Sequence, residues 1–284
     1  MRKASALTRF FAHGIAVAAL LSGCGQTPAA TPDSGVASPV QAAAAGAYQA
    51  RGGYPISLPA GSVYRNPASG RDEVVVPDMR HTALLIGDSQ SEPNDGWPRL
   101  GLAAIGYKVH FCGLGGTGFV ASNGKTGNYI DALQRGDWKL PYGTPALIVI
   151  QGGGNDAARG ATDAQIVANA DRLIGALRDR YPGARMAVIG TLARGANYGG
   201  GRRTQVDALL GTVAARHGIP FVGVGDWLSK YNLAKNLADA VHMDAAGRRS
   251  LGGLLESRLR QLGLEGPPLD GTVPAATPAA TPAG

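Results

Sequence analysis

Ser89 in IGDSQS, Gly116 in GLGGTG, Asn155 in GGGNDA, and the pair Asp239 and His242 in DAVH are the residues whose types could together carry out acyl transfer. A serine on a tight turn after a buried strand is exposed and firmly held, as a nucleophile must be, but its hydroxyl needs a base. His242 can serve, and a carboxylate three residues earlier, Asp239, would fix the imidazole tautomer and stabilise the imidazolium. The reaction also needs donors aimed at the developing oxyanion. The N–H of Ser89, a glycine N–H at Gly116 and the amide of Asn155 can supply them. The turn is not the usual nucleophile elbow, because GDSQS lacks the second glycine of GxSxG. The other histidines have structural places: His13 in the N-terminal segment, His81 before a strand, His110 within one and His217 at a helix end.

These groups must be brought together by the elements that carry them. Five short apolar runs, TALLIG at 82–87, KVHFC at 108–112, ALIVIQ at 146–151, RMAVIGT at 185–191 and IPFVGV at 219–224, alternate with helical segments. Runs of this kind are strands covered on both faces, so the fold class expected is α/β with a parallel sheet. Thr162 and Gln165 form a capping-box pattern, after which Ile166, Val167, Ala170, Leu173, Ile174 and Leu177 share one helical face. Asp244 can cap a last helix whose stripe is Leu251, Leu254, Leu255, Leu259 and Leu262. In an open parallel sheet the functional loops gather at the carboxyl ends of the strands. Ser89, Gly116 and Asn155 each follow one such end.

The blocks IGDSQS, the glycine of GLGGTG, GGND and DAVH, in this order, resemble the SGNH or GDSL hydrolase family. The resemblance spans nearly the whole predicted domain. It implies a flavodoxin-like five-stranded parallel sheet between helices and a serine esterase working through an acyl-enzyme. Ser89 would be the nucleophile, with Asp239 and His242 completing the triad. Ser89, Gly116 and Asn155 would form the oxyanion hole, Gly115 being the alternative to Gly116. Met243 stands where the family commonly has proline, which is expected to leave that loop less constrained. By analogy the substrate is a short acyl ester, such as acetate, on a small molecule or a polysaccharide, the alternatives being a lipid ester or thioester hydrolase, or a noncatalytic glycan-binding protein. Trp97, Arg194, Asn197, Tyr198 and Trp227 are candidates to line the acyl or sugar site, with aromatic packing and solvated charge the competing roles.

Other chemistries find little support. GLGGTG satisfies GxGxxG, but FVASNGKTGNY does not open a helix after it, and NGKT is misplaced for a phosphate loop. No CxxC, HExxH or clustered histidine and carboxylate set occurs, so neither a metal nor another cofactor is expected. Cys112, in VHFC, is expected to be a buried thiol. Residues 1–23 read as a signal segment, with Arg2, Lys3 and Arg9 ahead of an apolar run too short to span a bilayer. Its LSGC ending resembles the bacterial lipobox, which implies lipidation at Cys24 and anchoring to the cell envelope, simple secretion being the alternative. Residues 24–48 and 265–284 read as Ala/Pro-rich linker and tail, 49–80 as a lead-in that is a hairpin or irregular, and 81–264 as the hydrolase domain. The formal charge of +7, less three cations in the signal segment, gives +4. That excess, without basic runs interleaved with aromatics, indicates no nucleic-acid partner.

Overall fold

In the computed structural model residues 58–268 are described, and all lie in one compact unit. Eight strands follow in chain order: β1 (Val63–Asn66), β2 (Arg71–Val74), β3 (Thr82–Gly87), β4 (Lys108–Gly113), β5 (Leu140–Pro141), β6 (Leu147–Gln151), β7 (Arg185–Ile189) and β8 (Phe221–Val222). Five form one sheet in the order β4-β3-β6-β7-β8, and every neighbouring pair is parallel. This is the α/β arrangement expected from the apolar runs. The described part of the lead-in, from residue 58, takes the hairpin alternative, β1 pairing antiparallel with β2, which lies parallel to β5 in a small second sheet.

Alternation along the strands feeds two cores. Leu84, Ile86, Ile148 and Ile150 point to one face, where α2 (Tyr129–Arg135), α4 (Asp163–Arg180) and α5 (Gly201–Arg216) cover them. Ala83, Leu85, Leu147 and Val149 point to the other, under α1 (Trp97–Ala104) and α7 (Ala245–Gln261). Burying each such leucine, isoleucine or valine is worth about 1.5–3 kcal/mol, so the sheet is held from both sides. Two shorter helices, α3 (Gly154–Ala158) and α6 (Trp227–Lys230), complete the set used below. Helices α1 and α7 approach closely at Gly101, where an added Cβ would lie 2.6 Å from Leu255 Cδ2.

The predicted caps are present. Thr162 and Gln165 exchange both capping-box bonds at the start of α4, and Asp244 accepts from the Gly247 N–H (2.6 Å) at the start of α7. Strands β7 and β8 stop before the carboxyl ends of their apolar runs. The buried Asp207 carboxylate takes the N–H groups of Thr191 (3.0 Å) and Val224 (3.1 Å), where the chain leaves the ladder. A side chain therefore ends β7 and β8, and no local pattern announces it.

Candidate active site

Strand β3 stops because of what lies beyond it. A Cβ on Gly87 would meet Ser91 Oγ at 2.6 Å and the near end of the Gln151 amide at 3.1 Å, so only glycine fits the turn. Asp88, buried beneath the turn, accepts from the Gln90 N–H (3.0 Å), while its carbonyl accepts from the N–H groups of Ser91 (2.9 Å) and Glu92 (3.0 Å). The Gln151 amide, with its NH₂ toward Asp88, donates to Asp88 Oδ1 (3.3 Å) and Ser91 Oγ (2.6 Å) and accepts from the Gly152 N–H (3.1 Å). The turn is thus fixed from below, and Ser89 is left half-buried at its crest.

His242 Nε2 lies 2.7 Å from Ser89 Oγ, although 153 positions separate them in sequence. Its Nδ1 lies 2.8 Å from Asp239 Oδ2. The other carboxylate oxygen accepts from the N–H groups of Val241 (2.8 Å) and His242 (2.7 Å). Those two backbone donors, then the imidazole, hold the Asp239 carboxyl well below the usual carboxylate range. Both side chains remain open to solvent, 40% exposed for His242 and 56% for Asp239. Met243 does not loosen this loop, contrary to expectation. It is buried, pairs with Leu237 in an isolated bridge, and its carbonyl accepts from Arg248 Nη1 (2.9 Å). Burial of an apolar side chain supplies the constraint that a proline would have supplied through its ring.

The glycine loop after β4 is gripped by α3. Asp156, wholly buried, accepts from three successive N–H groups, those of Phe119 (2.9 Å), Val120 (2.7 Å) and Ala121 (2.8 Å). Asn155 Nδ2 donates one hydrogen to the Thr117 carbonyl (2.9 Å), which orients the amide and leaves its second hydrogen free. Gly153 begins α3 at φ +99°, and a Cβ there would lie 2.3 Å from Thr191 Oγ1. The Gly115 N–H is occupied by Glu92 Oε2 (2.7 Å). By contrast, the N–H groups of Gly116 and Ser89 make no hydrogen bond among the described residues. Of the two glycines left open by sequence, Gly116 therefore has the available donor.

Comparison with known proteins gives this arrangement a family. The model of the GDSL-like Lipase/Acylhydrolase family matches residues 82–249, more than half of the chain, and includes all five residues named above. The chain belongs to that family. Membership in the GDSL-like family makes the matched domain a carboxylic ester hydrolase. Similar solved structures include a family two carbohydrate esterase from Cellvibrio japonicus, 15% identical with a TM-score of 0.50, covering 64% of this chain and 61% of that one. A lipolytic G-D-S-L family member from Veillonella parvula DSM 2008 is 18% identical with a TM-score of 0.48, covering 64% and 97%. An active-site mutant of a family two carbohydrate esterase from Clostridium thermocellum is 17% identical with a TM-score of 0.48, covering 65% and 64%. The chain thus spans less than two thirds of the length of either carbohydrate esterase. No curated protein matches.

Several residues of this GDSL-family domain take the structural roles that competed with site roles in the sequence. Trp97 and Trp227 are core residues, 0% and 5% exposed, and line nothing; their rings pack at 6.3 Å between centroids. Arg194, Asn197 and Tyr198 are exposed on the loop after β7. Cys112 is a buried free thiol, pushed up to about 12 by burial. Cys24 and the signal segment lie outside the described residues. Among the described residues no helix is long and apolar enough to cross a membrane, and no cluster could hold a metal ion.

Burial raises the Asp88 carboxyl to about 6, against the opposing pull of the Gln90 N–H, the Gln151 amide and Arg203. Its folded value lies above the unfolded one, so folding favours the protonated form. That contribution is fully present below about pH 4 and is lost as pH rises through about 6. Asp88→Asn should remove this slope. Between about pH 4 and pH 7 the variant should gain up to about 3 kcal/mol relative to the parent. Urea midpoints at both pH values measure this, and a difference between the proteins that is independent of pH would show that Asp88 does not titrate there.

Proposed function

We propose that this chain is an exported, lipid-anchored serine esterase that removes short acyl groups, such as acetate, from polysaccharide. The observation that carries the catalytic part is the continuous line Asp239 Oδ2, His242 Nδ1, His242 Nε2, Ser89 Oγ, with both gaps within 2.8 Å. Ser89 Oγ attacks the ester carbonyl carbon while His242 Nε2 takes its proton. Asp239, kept ionised, holds the imidazole with Nε2 facing the serine and stabilises the imidazolium. The carbonyl oxygen becomes an oxyanion received by the N–H groups of Ser89 and Gly116 and the second amide hydrogen of Asn155. As the tetrahedral species collapses, the imidazolium returns its proton to the departing alcohol oxygen and the C–O bond breaks. Water then repeats the sequence on the acyl-serine, releasing the acid and restoring the hydroxyl.

The half-exposed Asp239 and His242 support a polymeric leaving group, because a solvent-open site admits an ester carried on a bulky chain. The fold shared with carbohydrate esterases agrees with that reading. Anchoring rests on LSGC at Leu21–Cys24. It requires that Cys24→Ala shift the protein from the membrane fraction to the soluble one.

The function is tested with protein lacking its first 24 residues, assayed on nitrophenyl esters from acetate to palmitate and on acetylated xylan. Turnover confined to short acyl groups, with acetate released from xylan, is the expected result. An optimum on long chains would replace polysaccharide by lipid as the substrate. Absence of turnover on every ester would leave a noncatalytic binding protein on this scaffold.

A further inference from the structure

We infer that Gln90 is a positioning residue that sets the distance between Ser89 and His242; the inference rests on the catalytic reading above. Gln90 is buried, 8% exposed, and both ends of its amide are engaged. Nε2 donates to the Val241 carbonyl (2.8 Å) across 151 positions of sequence. Oε1 accepts from Trp97 Nε1 (3.0 Å). The orientation of this amide is forced, since an indole N–H only donates and a backbone carbonyl only accepts.

The result is a double link between two adjacent pairs. Ser89 and Gln90 are neighbours in the turn, Val241 and His242 are neighbours in the loop, and each residue of one pair bonds to one of the other. The loop's remaining short bonds shape it without reaching the nucleophile turn: the Ala238 N–H to the His242 carbonyl (2.8 Å), and the two N–H groups on Asp239. Arg248 ties the Met243 carbonyl to Asp95 farther along. Gln90 is therefore the direct tether beside the Ser89 to His242 bond itself, and Trp97, at 0% exposure, is its fixed post. Proton transfer tolerates little error in this gap, since a displacement of about 1 Å can cost about 10²-fold in rate.

Two variants separate positioning from simple packing. Gln90→Leu puts an apolar side chain of similar size in the turn and removes both bonds. It should lower kcat on nitrophenyl acetate by about 10- to 100-fold while KM stays within about two-fold. Gln90→Glu retains an acceptor for Trp97, yet when ionised it turns an oxygen toward the Val241 carbonyl; when protonated it can donate there. The kcat ratio of Gln90→Glu to parent should therefore rise as pH is lowered from about 8 to about 5.5, by about ten-fold. Asp88, which accepts from the Gln90 N–H, and the pair Asp239 and His242 beyond Val241 are the titratable groups around this amide; present in both proteins, they leave the ratio to report what the new carboxylate adds. A Gln90→Leu loss that only follows the fraction unfolded, or a Gln90→Glu ratio that is flat with pH, overturns the inference. Normal kcat in Gln90→Leu beside an inert Ser89→Ala removes this inference alone, whereas full activity in Ser89→Ala removes the catalytic reading beneath it.

Discussion

Ser89→Ala is expected to lower kcat on nitrophenyl acetate by about 10⁶-fold while leaving the folded state intact. The effect is large because the attacking atom itself is removed, and what survives is the modest assistance of the oxyanion donors to water. The fold should not suffer, since the Ser89 side chain is half-buried at the crest of the turn and the bonds that shape the turn belong to Asp88, Gln90 and Gln151. The nearby Ser91 cannot substitute. It is 0% exposed and its hydroxyl is bound to the Gln151 amide. Circular dichroism and a thermal midpoint close to that of the parent, beside lost turnover and lost labelling by an alkyl fluorophosphonate, form the expected set. Retention of more than about one part in a hundred of the parent kcat would place the nucleophile elsewhere.

Asp239→Asn carries the second largest effect, a fall in kcat of about 10³-fold with KM little changed. An amide in this place can still accept from the Val241 and His242 N–H groups with one end. Its NH₂ then faces Nδ1 and selects the tautomer with hydrogen on Nε2, so the ring donates toward Ser89 Oγ instead of accepting from it. A buried triad loses about 10⁴-fold in this way. Here the carboxylate is more than half exposed, and water can reach the imidazole and restore part of its freedom. A loss below about three-fold, measured as kcat at saturating ester, would show that Asp239 does not orient the base.

Much of the scaffold could be read before any coordinates, because it is written locally. The run Leu84–Ile86, the capping box at Thr162 and Gln165, and the Asp244 cap with its leucine stripe are short-range patterns that burial and helix geometry enforce. The blocks carrying Ser89, Asn155, Asp239 and His242 were legible through their joint order and the family resemblance, and the structure brings Ser89, Asp239 and His242 within hydrogen-bonding distance in line. What could not be read depends on partners distant in sequence. The Gln90 bond to Val241, the hold of Asp156 on three N–H groups some 35 residues earlier, and the ending of two strands by Asp207 have no periodic signature. Trp97 and Trp227 show the converse. Their composition and loop position suited a sugar platform, but the two rings meet in the core.

The close seat of α7 on α1 at Gly101 and Leu255 has an implication for when the protein acquires reactivity. The hydroxyl enters the chain within its first third, while the imidazole belongs to a loop whose shape depends on α7, the helix that follows it. During vectorial synthesis, the emerging polypeptide holds an unactivated alcohol until α7 arrives and seals the sheet. Maturation is thereby a built-in timer: the nucleophile stays idle until the whole domain has closed.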